Sequence, residues 1–233
     1  MSHVLVAHGT RKAQGVALIG DLADQVAATL GHPVHVAFVD VIGPTPAEVL
    51  EAHADEPAVL VPAFLARGYH VSTDIPAHVR ASRHEAVTVT PALGPDPQLV
   101  RVLVDRLVES GWRTEDSVVL AAAGTSDPAA LRDLHTTAAW LSATIGSRVE
   151  LAFAATGEPR VADAVAAVRT RDRRVVVASY LLSEGLFQDR LRDSGADMVT
   201  DPLGRHPGIT RLIASRFVRA RTLDLARSGV IGH

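Results

Sequence analysis

A phrase near the start of this chain returns near its middle. Val4-Leu5-Val6-Ala7-His8-Gly9-Thr10 reappears as Val119-Leu120-Ala121-Ala122-Ala123-Gly124-Thr125, 115 positions further on. The same offset pairs Phe38 with Phe153 and Pro44 with Pro159. Two more segments recur in the same order at slightly shifted spacing. Phe64-Leu65-Ala66-Arg67-Gly68-Tyr69-His70 matches Leu181-Leu182-Ser183-Glu184-Gly185-Leu186-Phe187, and Leu93-Gly94-Pro95-Asp96-Pro97 matches Leu203-Gly204-Arg205-His206-Pro207. Ordered recurrence of this kind marks a duplicated fold unit, and the period is too long for a solenoid. A chain of 233 residues holds two such units at ordinary domain size. The polar, turn-rich stretch 111–115 divides them into an N-terminal domain, 1–114, and a C-terminal repeat domain, 115–233.

Each half alternates short apolar runs with helical patterns. In the first, strands are expected at 4–7, 34–41, 58–64 and 87–90. Helices are expected at 13–30, 44–54, 75–84 and 98–110, the first stopped by Gly31. In the second, strands at 118–122, 150–154, 174–180 and 198–199 alternate with helices at 128–145, 160–170, 187–193 and 208–227. This alternation predicts an α/β fold: two tandem domains, each a small parallel sheet flanked by helices, with a cleft between them. Ligands of such sheets bind at the carboxyl ends of the strands. His8 follows the first strand, Asp40 ends the second, and His70 stands in the loop after the third, so all three are expected at one edge of one sheet.

The second copy shows what the first is for. His8, Asp40 and His70 align with Ala123, Ala155 and Phe187, while the neighbouring glycines and apolar residues persist. Groups that served folding would be needed in both halves, so their loss from one favours a chemical role. The blander reading is that His8 caps the following helix, His70 packs in its loop, and Asp40 accepts backbone hydrogen bonds. Arg11, Lys12, Arg67 and Arg80 cluster around the two histidines. They form either a solvated basic face or a cationic rim for a carboxylate-rich substrate, which arginine binds bidentately. His32, His35, His53, His135 and His206 show no ligand spacing and are expected at the surface. His78 and His84, six apart, lack the spacing of a helical metal pair.

Composition removes several classes of function. A formal charge of −3 is wrong for a nucleic-acid binder. No apolar run reaches the ~18 residues of a membrane span. The start of the chain enters a strand without a basic leader, so a cytoplasmic location is expected. Cysteine is absent, which excludes disulfides, thiolate metal sites and iron–sulfur clusters together. Any metal must be held by histidine, carboxylate or substrate. The turn His8-Gly9-Thr10-Arg11 lies outside both glycine-rich nucleotide motifs. Ala7 stands where a histidine phosphatase would carry arginine, which leaves a phosphate-ester enzyme as the weakest alternative.

At these residues the chain resembles the sirohydrochlorin chelatases of the CbiX/SirB type, in their long two-domain form. The family opens on a strand ending His-Gly-[ST]-Arg, here His8-Gly9-Thr10-Arg11. It continues with Pro-x-Phe-Leu-x-x-Gly-x-His-x-x-x-Asp-Ile-Pro, matched throughout by 62–76. Asp40 stands where the family has glutamate, one methylene shorter in reach. The resemblance implies insertion of Co²⁺ or Fe²⁺, with Ni²⁺ a third candidate, into sirohydrochlorin or a close tetrapyrrole. That step belongs to siroheme or cobalamin biosynthesis and needs neither ATP nor an organic cofactor. It implies that His8 and His70 hold the metal and accept pyrrole protons, with Asp40 orienting or assisting. Gly9, Thr10, Arg11 and Arg67 would meet the substrate. It also implies a monomer, the second copy standing in for a partner subunit, with no nucleic-acid or membrane partner. A non-catalytic metal or tetrapyrrole carrier of the same fold is the alternative.

Overall fold

The computed structural model describes the backbone of residues 1–228 and side chains as far as Thr222. The first half runs β1 (Ser2–Ala7), α1 (Ala13–Leu30), β2 (His35–Phe38), α2 (Pro46–Ala52), β3 (Ala58–Pro62), α3 (Ile75–Ser82), β4 (Val87–Val89) and α4 (Pro97–Glu109). The second runs β5 (Ser117–Gly124), α5 (Pro128–Ile145), β6 (Val149–Thr156), α6 (Val161–Val168), β7 (Val175–Tyr180), α7 (Leu186–Arg192), β8 (Met198–Val199) and α8 (Pro207–Ser228). Two four-stranded parallel sheets result, ordered β2-β1-β3-β4 and β6-β5-β7-β8. The expected α/β architecture is the observed one. Among the described residues no helix is long and apolar enough to cross a membrane.

The central strands are buried along their whole length. Val4, Leu5, Val6, Val59, Leu60 and Val61 are fully inaccessible to solvent. Parallel sheets are covered by helices on both faces, so their strands read as continuous apolar runs, each such side chain contributing roughly 1.5–3 kcal/mol. The helices begin where local chemistry starts them. Asp96 and Asp127 accept hydrogen bonds from the backbone N–H groups of Gln98 (2.8 Å) and Ala129 (2.7 Å), each just before a proline. Thr45 and Glu48 form a reciprocal capping box ahead of α2, and the backbone N–H of Thr45 holds the Glu48 carboxyl below its usual range.

The compact units are not the two sequence halves. One comprises Met1–Leu93 together with the segment from Thr210, and the other Gly94–Ile209. The stretch 111–115 does separate the strands of the two sheets, but α4 leaves its own half and packs on α5 and β7. Its apolar face, Leu99, Val100, Val102, Leu103 and Leu107, is buried there. In return α8 joins the first unit. The Thr210 hydroxyl donates to the Gln25 side chain at 2.8 Å, and Arg216 donates to the Leu93 carbonyl at 3.1 Å. An amphipathic pattern shows that a helix has a buried face, not which sheet covers it.

Some histidines expected at the surface are covered. His32 and His135 are exposed, but His35 and His53 are half-buried with ring centroids 4.1 Å apart. His206 is buried because its Nδ1 accepts from the Gly208 backbone N–H at 3.1 Å, at the start of α8. His3, in β1, is buried edge-on against Phe217 of α8, and its Nδ1 has no hydrogen-bond partner among the described residues. Burial first, then repulsion from His32, the amino terminus and Arg221, holds its pKa below the ordinary value, with Glu56 opposing. A histidine kept neutral by folding stabilises fully above its unfolded pKa. That contribution is lost as pH falls below about 6.5 and the unfolded chain takes the proton first. Melting temperature is therefore expected to drop between pH 7 and 5. His3→Phe should flatten the drop, and an unchanged slope would disprove the assignment.

Candidate active site

In the order β2-β1-β3-β4 the chain turns from β1 to β2 on one side and returns to β3 on the other. The crevice of such a sheet opens between the carboxyl ends of β1 and β3. His8 follows β1 and His70 follows the β3 loop, so the topology puts these two together. Their ring centroids are 4.5 Å apart, edge to face at 89°. His8 is exposed and the His70 side chain keeps 33% of its surface open to solvent.

The turn that carries His8 is shaped by its glycine. Gly9 has φ +98°, and a Cβ there would lie 2.0 Å from the Asp40 carbonyl oxygen. The crossing is held by hydrogen bonds from Val39 N–H to the Ala7 carbonyl and from Asp40 N–H to the His8 carbonyl, both 3.0 Å. Thr10 completes the turn, its hydroxyl oxygen accepting from Lys12 N–H at 3.1 Å and its methyl seated over Gly15. The second copy keeps this scaffold. Gly124 has φ +109° with Thr156 O in the corresponding place at 1.9 Å from a Cβ, and Thr125 accepts from Asp127 N–H at 3.0 Å. A one-residue register shift in the β5–β6 pairing brings Thr156 rather than Ala155 opposite the glycine. The structural counterpart of Asp40 is thus Thr156, which is polar but carries no carboxylate.

His70 does not sit in an open loop. Residues His70–Asp74 form a π-helical turn that runs directly into α3, whereas the sequence pattern placed the helix start at Ile75. Single π turns of this kind recur at functional sites. The turn is anchored by Val71 N–H and Ser72 N–H on the Gly68 carbonyl, both 3.0 Å. The His70 ring lies nearly parallel to Phe64, centroids 5.9 Å apart. Its Nδ1 is 2.6 Å from Oδ2 of Asp74. His8 Nδ1 is tied in the same way, 2.9 Å from the Gly9 carbonyl oxygen. Carboxylate and carbonyl oxygens only accept, so each Nδ1 carries the proton and each Nε2 is left as a free donor atom. Asp74 was overlooked in the sequence although its spacing, four residues after His70 on a helix, was the available signal.

Asp40 lies outside the strand expected to end on it, because β2 stops at Phe38. Val41 has φ +71°, and Ile42 N–H donates to the Asp40 carbonyl at 2.8 Å, making a γ-turn with a β-branched residue in the left-handed region. The Asp40 carboxylate accepts from Val41 N–H at 2.7 Å and so helps hold that turn. Its backbone is therefore brought beside His8, while one carboxylate oxygen is taken up by the Val41 N–H. With Asp74 and His78 it lines an open cavity of about 450 Å³, closed on its other sides by Val39, Ala77 and Ala81. Arg11 and Arg67 are both exposed, in the two loops that carry His8 and His70. Among the described residues no three histidine, aspartate or glutamate side chains converge tightly enough to ligate one ion. An ion gripped by the two Nε2 atoms must complete its coordination with water or with a bound molecule.

Comparison with known proteins adds four findings. The sequence model of the CbiX family matches residues 2–110 and again 117–220. A sirohydrochlorin ferrochelatase of Priestia megaterium is 28% identical over 229 residues, spanning 90% of this chain and 86% of its own. A sirohydrochlorin cobaltochelatase of Methanothermobacter thermautotrophicus is 30% identical over 127 residues, 45% of this chain and 88% of its own. Among solved structures, SirB from Bacillus subtilis with Fe³⁺ superposes with a TM-score of 0.83 at 21% identity, covering 94% of this chain and 96% of that one.

Proposed function

The chain belongs to the CbiX family, and from that premise we propose that it inserts a divalent metal ion into sirohydrochlorin or a close tetrapyrrole. One observation carries the reading: two imidazoles meet at the open edge of the sheet, each tied through its Nδ1. Neutral imidazole binds cobalt, iron and nickel, yet two such donors alone hold an ion loosely enough to pass it on. Insertion removes two pyrrole protons as the ion enters, so charge balances without ATP. In this proposal His8 and His70 hold the incoming ion, and their Nε2 atoms take up the protons as it leaves. Asp40, with its carboxylate at the neighbouring cavity, assists through water, and exposed Arg11 and Arg67 pair with ring carboxylates. Gly9 and Thr10 act by shaping the turn beneath His8.

The two relatives are named for iron and for cobalt, so both Fe²⁺ and Co²⁺ are expected to serve as substrate. The place of action proposed is the cytoplasm, in siroheme or cobalamin synthesis. A carrier with the same histidines is separated by turnover. With sirohydrochlorin and Co²⁺ in excess, absorbance is expected to report many metallated rings per protein molecule, whereas one equivalent or fewer would establish a carrier. The proposed state is a monomer, because the chain already holds two copies of the unit. Light scattering behind size exclusion should give a mass near 24.6 kDa, and a stable dimer would overturn this.

A further inference from the structure

We propose that Asp74 is a positioning residue that makes His70 the stronger of the two metal donors and leaves His8 the weaker. This deepens the chelatase reading and rests on it. The two rings are tied through the same nitrogen to partners of different charge, a carboxylate for His70 and a neutral carbonyl for His8. An imidazole whose N–H faces a carboxylate is the more basic ligand, with its orientation and tautomer set by that bond. The ion is therefore retained on His70 and released from His8 first, an order that suits handover to a ring approaching from the open side.

Asp74 does not serve as a helix cap: its own backbone is helical (φ −72°, ψ −48°), and its side chain makes no capping bond at the start of α3. The carboxylate goes to His70 instead, across the width of the π turn. The second copy is consistent with this division. At the spacing that pairs His70 with Phe187, Asp74 pairs with Leu191, which is fully buried in an ordinary helix, α7. Ligand and positioner have been lost together, while the glycine of the preceding loop remains as Gly185.

The test uses the full chain with Asp74→Asn and Asp74→Glu, beside His8→Ala and His70→Ala. Co²⁺ binding is read from its visible absorption without tetrapyrrole, and insertion kinetics are split into kcat and the KM for metal. Asp74→Asn is expected to weaken Co²⁺ binding about 10–100-fold and to raise the KM for metal, with Asp74→Glu recovering most of the loss. His70→Ala should cost more Co²⁺ affinity than His8→Ala. Should Asp74→Asn keep Co²⁺ affinity and KM within about twofold of the parent while both histidine variants lose turnover, the positioning role fails and the chelatase reading stands. Histidine variants that turn over normally would sink both. Independently of any variant, the ¹⁵N spectrum of the unmodified protein should show the neutral His70 ring protonated on Nδ1. Protonation on Nε2 would overturn the proposal.

Discussion

Alanine at His70, and separately at His8, is expected to lower metal insertion by at least about 10²-fold while the melting temperature stays near that of the parent. His8 projects from a loop and His70 from the π turn, both at the open end of the sheet, and neither fills the core, so truncation leaves no buried cavity. His70 loses its stacking on Phe64 and its bond to Asp74, a modest cost at a half-exposed position. What disappears is one of the two proposed donor atoms. Among the described residues no third histidine or carboxylate converges there to compensate. His135→Ala, an exposed position on α5, is the matched control and should leave turnover unchanged. Turnover at the parent rate in both site variants would reject the assignment, and a collapse of melting temperature would return the histidines to a folding role.

The second large effect concerns the turn glycines. Gly9→Ala and Gly124→Ala should each destabilise the protein by about 3 kcal/mol or more, since overpacking and a left-handed φ act together. The new Cβ would approach Asp40 O at 2.0 Å in one case, and Thr156 O, N and C at 1.9, 2.6 and 2.7 Å in the other. These are backbone atoms, Thr156 at the end of β6 and Asp40 just beyond β2 but tied by its N–H to the His8 carbonyl, and they have no rotamer with which to yield. The two variants differ in what else they disturb. Gly9 is bonded to His8, the residue proposed to hold the incoming ion, and supplies the carbonyl that orients its ring, so Gly9→Ala should also depress insertion per folded molecule. Gly124→Ala should lower the midpoint of denaturant unfolding and leave the rate per folded molecule intact. Equal losses of rate would mean that the second turn contributes to the chemistry after all.

The duplication could be read without coordinates because it is a pattern of residues, and the geometry repeats with it. Elements with strong periodicity lay where the pattern put them: α5 spans Pro128–Ile145, and β7 and β8 differ from expectation by no more than a residue at their ends. The pairing of His8 with His70 was also legible, since strand order and the carboxyl-edge rule follow from the alternation of elements. The side-chain direction of Asp40 was not. Three residues beyond β2 the backbone reverses at Val41, and that γ-turn brings the Asp40 carboxylate onto its own chain at the Val41 N–H. The π turn escaped for a related reason: shifting a hydrogen bond from the fourth residue to the fifth leaves no trace in apolar spacing.

By itself the sequence determined that there are two α/β units, that one has kept its polar groups and the other has not, and which two histidines meet at the edge of the sheet. Those conclusions depend on residue type and order, which hydrophobic periodicity and repetition expose directly. Only the tertiary structure decided that α4 and α8 are exchanged between the units, that Asp74 and not Asp40 holds the His70 ring, and that both rings offer Nε2. Each of these turns on a contact between groups brought together by folding, at distances of about 3 Å, where a shift of one residue or one bond changes the partner.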